Sequence, residues 1–579
     1  MLIFYYSVPH RKTSSSKYAN STQKNFDQYA DQLFFGQVSS DALSMHFYLL
    51  HPENLGLNNI EQTLGTYSYD AMISGQQYYI EEINKLKSMD YDQLSRKQQI
   101  TYDTLMDYFK DQLDFSDLCL CSEILSPTTG LQAQLPILFS EYKFTSKQDL
   151  DNYLLLLSEL KDYYAQICEF QKLKAEKECF ISDFCCEGII SQCKDFIGTG
   201  SAKDNLLYSS FNEKIKNADF LTDSEKSEYV AKNQSVIEQS VIPAYQSIIQ
   251  TLSTLKSSGY CKNVNGLYYL KNGQDYYEYL TKTYTGSSQS VLELKSDIQN
   301  NLANDMRTMY SLLTISPELE DQFYGDEKNT SSPETILTDL KEKAAKDFPI
   351  SSDINYEIKY VDKSLEDYLS PAFYLSPPID APDNNTIYIN NGTKSQNQDI
   401  YTTLAHEGIP GHMFQAACFS HTDPLSIRYL VNYGGYTEGW ATYVEFMSYD
   451  YKYEDNPQLA KALSCSASYS LALYSLCDIG INYEGWTLKD TKNFLTNYNM
   501  EDDTVCENIF QAVIEEPANY LQYYVGYMEI CNIKDKMQKK LGDKFDLKKF
   551  HQAFLSIGPT SFSVVDKWIF NEYAQITKE

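Results

Sequence analysis

Leu404-Ala405-His406-Glu407-Gly408-Ile409-Pro410-Gly411-His412-Met413-Phe414-Gln415 sets two of the seven histidines of this chain six residues apart, with a glutamate beside the first. Neutral imidazole is the commonest protein ligand for zinc, and a neighbouring carboxylate can take a proton from water held at a metal. In the helical motif His-Glu-x-x-His the rings lie four apart and share one face. Six residues turn an undistorted helix through about 600°, which leaves the rings about 120° apart. Pro410 removes a backbone donor and crowds the carbonyl of His406, so the helix has to bend or bulge. Gly411 frees the irregular turn that convergence of the rings requires. From this spacing alone two readings stay open: a metal site on a distorted helix, or a polar helix end capped by two histidines.

Downstream, Tyr436-Thr437-Glu438-Gly439-Trp440-Ala441-Thr442-Tyr443-Val444-Glu445 offers a carboxylate as third ligand. Two His, one Glu and an open fourth position make a hydrolytic zinc site. Glu438 and Glu445 lie seven apart, about 20° short of two full turns, so both carboxylates face the same side. One can bind the metal while the other orients a histidine. Trp440 is expected to pack beneath the site. Glu484-Gly485-Trp486 echoes the same motif, but the capping-box pattern from Thr487 to Asp490 puts Glu484 in a loop. His10, His46, His51 and His421 have no acidic partner at ligand spacing and are expected to be structural.

The chain has 579 residues, enough for one large helical body or two lobes. Hydrophobic content of 42%, with 14% aromatic residues, excludes bulk disorder. The formal net charge of −31 argues against nucleic acid and anionic membranes as partners. It weakly favours cationic substrates, and the first reading is a solvated acidic surface that keeps the protein soluble. Thirteen cysteines make an odd total, so they cannot all pair. For the group Cys179, Cys185, Cys186 and Cys193 the readings are buried free thiols, a second metal or a disulfide. No run of 18 apolar residues exists to span a membrane. Leu2 to Val8 is apolar but too short for an export signal, so the chain as written is cytoplasmic, and exported if Met1 is a truncated start.

Apolar periodicity predicts helices over Asp149–Lys174, Ser224–Leu255 and Ser288–Leu313. In the first, Leu150, Tyr153, Leu154, Leu157, Leu160 and Tyr164 form the stripe; in the second, Pro243 should kink or split the helix. Breakers gather at Ser126–Gly130 and at Gly325–Pro333, where Ser332-Pro333-Glu334 reads as a capped helix start. A soft boundary there divides the chain into an N-terminal extension 1–20, a helical lobe 21–330 and a lobe 331–579 carrying the motif, with one continuous domain as the other reading. Tyr356–Val361 and Thr386–Asn390 alternate as strands and should pair, with a rigid non-helical loop, Ser376–Asp383, between them. An exposed edge of that sheet could accept an extended peptide, or the pair could be purely structural.

The segment Leu404–Gln415 resembles the His-Glu-x-x-Pro-Gly-His-x-x-Gln signature of the bacterial domain-of-unknown-function family 885. Glu438–Glu445 resembles its Glu-Gly-Trp-Ala-x-Tyr-x-Glu helix, Tyr523-Tyr524-Val525-Gly526 its Tyr-x-x-Gly, and Phe550-His551 with Gly558 its final motif. The likeness runs from about Asn25 to Trp568, and the first two motifs are specific together. That family is similar in its helical fold to the thimet-oligopeptidase-like and carboxypeptidase-Taq-like zinc peptidases. The resemblance implies zinc held by His406, His412 and Glu438, with Glu407 as general base; Glu445, by its spacing, is the orienting or alternative ligand. It also implies Tyr523 and His551 as candidates to stabilise an oxyanion.

These readings predict an all-α chain with a small β element, two-lobed, with the metal in a deep cleft. The expected function is zinc-dependent hydrolysis of short peptides. The rivals are a non-catalytic peptide-binding protein of the same fold and a zinc hydrolase of a non-peptide amide or ester.

Overall fold

The longest apolar stripe becomes the longest helix, α1 (Lys147–Glu176), and all six residues expected on its stripe are buried. It starts two residues before the stripe predicts, because Ser146 and Asp149 form a reciprocal capping box. This computed structural model describes residues 20–58, 60–325, 331–350, 354–361, 366, 370–392 and 400–578. Helices make up 71% of it, and the only sheet among the described residues has three short strands. The chain is therefore mainly α with a small β element. His10, Leu2–Val8 and nearly all of the extension 1–20 lie outside the described residues.

Pro243 splits its helix as predicted. Helix α2 (Asp223–Val236) runs into a π turn over Ile237–Val241, and α3 (Ile242–Ser257) begins with the proline in its first turn, where no N–H is needed. Next come α4 (Gly273–Thr285) and α5 (Val291–Ile315), the latter opened by a Ser290–Glu293 capping box. Ser332 caps α6 (Pro333–Ala344) as the sequence predicts.

The sheet follows. Strand β1 (Tyr356–Tyr360) pairs in parallel with β3 (Asn385–Ile389), and β2 (Ala372–Leu375) pairs antiparallel on the other side of β3, giving the order β1-β3-β2. The two expected strands do pair, but β2 has no counterpart in the sequence reading: four residues are too few to register an alternation. Ser376–Asp383 is non-helical, as expected.

After the sheet come α7 (Ile400–Glu407), α8 (His412–His421), α9 (Gly434–Lys452) and α10 (Pro457–Asn482). The chain closes with α11 (Asp503–Glu515), α12 (Asn519–Leu541), α13 (Leu547–Ile557) and a last helix, Phe562–Ile576. The cores run across position 330. Leu294, Ile298 and Leu302 of α5 share one apolar cluster with Leu473, Leu476 and Ile479 of α10. Thr104 and Thr560, both buried, are hydrogen-bonded at 2.9 Å. Helices α9 and α12 cross at glycines: a Cβ on Gly439 would lie 2.4 Å from the Gly526 backbone, and one on Gly526 would lie 2.1 Å from the Gly435 carbonyl.

Candidate metal centre

The segment from His406 to His412 is two helices rather than one bent helix. Helix α7 ends at Glu407, Gly408–Gly411 form a turn with a cis Ile409–Pro410 bond, and α8 starts at His412. The break follows from Pro410, which cannot continue the hydrogen-bond ladder. Gly411 is obligatory, because a Cβ there would lie 1.7 Å from the His406 carbonyl. Trp440 packs beneath as expected: fully buried, it donates from Nε1 to the Pro410 carbonyl at 2.9 Å.

The turn brings the two rings together, their centroids 4.8 Å apart. Glu438 Oε2 lies 3.6 Å from His406 Nε2 and 3.3 Å from His412 Nε2. A tetrahedral ion about 2.0–2.1 Å from each ligand atom requires edges of about 3.3–3.4 Å, so the donor set fits zinc. The three side chains retain 13%, 17% and 25% exposure, leaving one side of the cluster open. Among the described residues no other group of His, Cys, Asp and Glu is so arranged.

Glu445 stands behind His406, its Oε2 2.9 Å from Nδ1. A proton held between them fixes the tautomer that presents the Nε2 lone pair to the open side. Burial opposes charge on His406, but Glu438 and Glu445 outweigh it and lift its pKa to about 10. Burial likewise pushes the Glu438 carboxyl up, and the two histidines outweigh that and hold it well below the usual carboxylate range. Without metal the cluster is thus a stabilised ion pair, and a metal has to displace its proton.

Glu407 Oε2 accepts from the Tyr374 N–H at 2.9 Å, so the unforeseen strand β2 positions the expected base. Tyr523 of α12 lies over His406, with ring centroids 6.4 Å apart. Burial, then Glu438 and Glu407, raise its hydroxyl pKa and keep it a proton donor.

His551 does not join them. It is fully buried, stacked on Phe348, with Nδ1 against the Asp347 carbonyl at 2.7 Å and Nε2 against the Tyr443 hydroxyl at 3.0 Å. Burial lowers its pKa to about 3. With both nitrogens bonded inside the core, His551 is not brought together with the cluster, unlike Tyr523. The close approach at Gly439 is to the Gly526 backbone of α12.

Among the described residues, His46 and His421 have structural settings. His46 stacks on Tyr142 and accepts from the Lys143 N–H, and His421 bonds the Ala417 carbonyl. His51, against expectation, does have an acidic partner, Glu53 at 3.1 Å, but on the surface. Glu484 sits in a loop, paired with Lys295. All thirteen cysteines are free thiols, and Cys179, Cys185, Cys186 and Cys193 are buried.

Helical architecture and this cluster define a class of chain that carries a two-histidine, one-carboxylate centre across a broken helix. The chain belongs to the family described as bacterial protein of unknown function (DUF885), whose pattern its residues 52–569 match. Comparison with curated proteins returns no match. In fold it is similar to the crystal structure of a "putative lipoprotein" from Colwellia psychrerythraea, at 20% identity and a TM-score of 0.84, covering 96% of this chain and all 100% of that one. It is also similar to a "putative lipoprotein of unknown function" from Shewanella oneidensis, at 16% identity and a TM-score of 0.64, covering 94% of this chain and 99% of that one.

Proposed function

We propose that this protein is a zinc-dependent peptidase acting on short peptides. The reading rests on one observation: Glu438 Oε2 lies 3.6 Å from His406 Nε2 and 3.3 Å from His412 Nε2, all three ligand atoms lie within 4.8 Å of one another, and Glu407 follows His406 in the chain. Zinc bound there would polarise a scissile carbonyl and lower the pKa of bound water toward about 7. Glu407, steadied by the Tyr374 N–H, accepts the water proton and passes it to the leaving amine. Glu445 keeps the proton on His406 Nδ1 and so keeps Nε2 a ligand. The Tyr523 hydroxyl, with no hydrogen-bond partner among the described residues, is available to donate to the oxyanion that forms on the carbonyl. Strand β2 is a sheet edge beside Glu407, where an extended peptide gains backbone hydrogen bonds.

The likeness of the family's helical fold to zinc peptidases supports the same reading. No helix of the described residues is long and apolar enough to cross a membrane. The descriptions of both similar structures as lipoproteins support an exported place of action over the cytoplasmic one read from the sequence. Cell fractionation tests that part. The activity is tested with zinc-loaded protein and a mixed peptide pool, cleavage being followed by mass spectrometry. Glu407→Gln should bind zinc fully yet lose about 10²–10⁴-fold in turnover, the contribution of a general base. Zinc bound stoichiometrically with no peptide cleaved would reject the peptidase reading.

A further inference from the structure

A cavity of about 390 Å³ opens at the start of α12, and the chemistry above makes no use of it. Asn519 and Gln522 in the first turn of α12 line it, while Tyr523, next in the chain, turns its ring to His406. One helical turn, about 6 Å, separates Asn519 from Tyr523. The cavity and Tyr523 are thus neighbours along one helix.

The lining is negative. Lys174 reaches the cavity but is matched by Glu123, whose Oε2 lies 2.6 Å away. Glu515 and Glu516 remain uncompensated, adjacent in the chain at the end of α11. Glu515 Oε2 accepts from the Thr128 hydroxyl at 2.6 Å, a neutral donor that leaves its charge in place. The backbone around the two carboxylates is pinned: Ser126 donates to the Glu515 carbonyl, and the Ala518 N–H, at a residue with φ of 64°, is held by Asp478 at 3.1 Å. Burial raises the pKa of both carboxyls, and for Glu515 the neighbouring Glu516 adds to it. Two like charges held side by side in a half-enclosed space cost stability until a cation enters. Tyr284 and Tyr276 of α4 supply aromatic surface in the same wall, and Tyr284 lies within the field of Glu516. Carboxylates beside aromatic faces select organic cations. A metal ion is a poor fit, since these carboxylates form no ligand cluster of the kind found at His406, His412 and Glu438.

We propose that this cavity receives a positively charged group of the substrate, an ammonium or guanidinium, and that the protein therefore prefers peptides with a free α-amine or a basic side chain near the scissile bond. The inference rests on the peptidase reading and gives a direction to the net charge of −31, which by itself reads first as a solvated surface.

The probes are four randomised tetrapeptide pools: free amino terminus without basic residues, its N-acetylated match, an N-acetylated pool containing lysine, and the same pool with norleucine for lysine. Affinity is measured on zinc-loaded Glu407→Gln protein, and cleavage with the wild-type protein. A charged pool should bind about tenfold or more tightly than its neutral match, as a charge-assisted contact provides. Which pair shows the difference identifies the α-amine or the side chain as the source. Glu515→Gln and Glu516→Gln, each checked for an unchanged melting temperature, should reduce that ratio toward one. If a variant fails to fold, the comparison of pools decides alone. Equal affinity for charged and neutral pools, or no binding by any pool, overturns the inference. Cleavage with no charge preference rejects the cavity assignment while keeping the peptidase reading. Charge-selective binding without cleavage does the reverse.

Discussion

Glu438 and Glu445 share one face of α9 and stand in different relations to His406. Glu438 faces Nε2 of both histidines, and Glu445 holds Nδ1 of one. Glu438→Gln should therefore abolish tight zinc binding, whereas Glu445→Gln should weaken affinity or activity by about 10–100-fold, as loss of an outer partner does. Competitive zinc titration of the two variants side by side checks this, and the reverse order of affinities would sink the assignment. At this scale the sequence was legible for residue type and spacing. His406, Glu407, His412, Glu438 and Glu445 were all readable as candidates from residue type, spacing and the likeness to the family's motifs. The burial of His551 was not legible, because a histidine inside a core looks the same in a sequence as one in a cleft. Only the partners on both of its nitrogens separate the two cases.

Helix packing sets how far each of these side chains reaches. Adding a methyl at Gly439 forces α9 away from Gly526 of α12 and displaces Glu438, the next residue. Gly439→Ala should destabilise the fold by about 1–3 kcal/mol, the usual cost of overpacking, and weaken zinc binding in the same protein. Urea denaturation and metal titration read the two effects, and wild-type values for both would show that the crossing tolerates a side chain. Asp478 ties three elements together: its Oδ1 accepts from the Tyr277 hydroxyl of α4, the Asn482 amide of α10 and the Ala518 N–H before α12, at 2.9, 3.0 and 3.1 Å. Burial outweighs these bonds and lifts its pKa to about 7. Between about pH 4 and pH 7 the folded state keeps a proton that the unfolded chain has released. The stabilisation is complete at the acid end of that window and is lost as pH rises through about 7. Asp478→Asn keeps an acceptor and has no proton to lose. Relative to the variant, the wild type should lose up to about 1.4 kcal/mol per pH unit across the window. Denaturation curves of equal slope from pH 5 to 8 would show that Asp478 carries no such linkage. The long helices and the split at Pro243 were legible from periodicity and caps; β2 was not, because a four-residue edge strand takes its order from β3.

For the whole molecule, a ligand that binds only the folded state raises its stability by mass action. Zinc at about 100 times its Kd should add about 2.7 kcal/mol, so the melting temperature should rise with zinc and fall with a chelator. The double variant His406→Ala and His412→Ala should remove that difference, and a zinc-independent melting temperature in the wild type would leave the centre without a metal. The cores shared between segments on either side of position 330 make the same point about size: the apolar faces of α5 find their partner in α10, more than 140 residues later. The helical class, the main helix limits and caps, the residues of the candidate metal cluster and the acidic charge could all be read from the chain alone, since these depend on local periodicity and residue type. Only the packing of distant helices made the kink a break, set Glu445 behind His406, put His551 in the core and turned Glu515 and Glu516 to a cavity beside α12. Those outcomes depend on which distant helices pack together, and no local spacing encodes the close approach of α9 to α12 or the turn that points two imidazoles at one carboxylate.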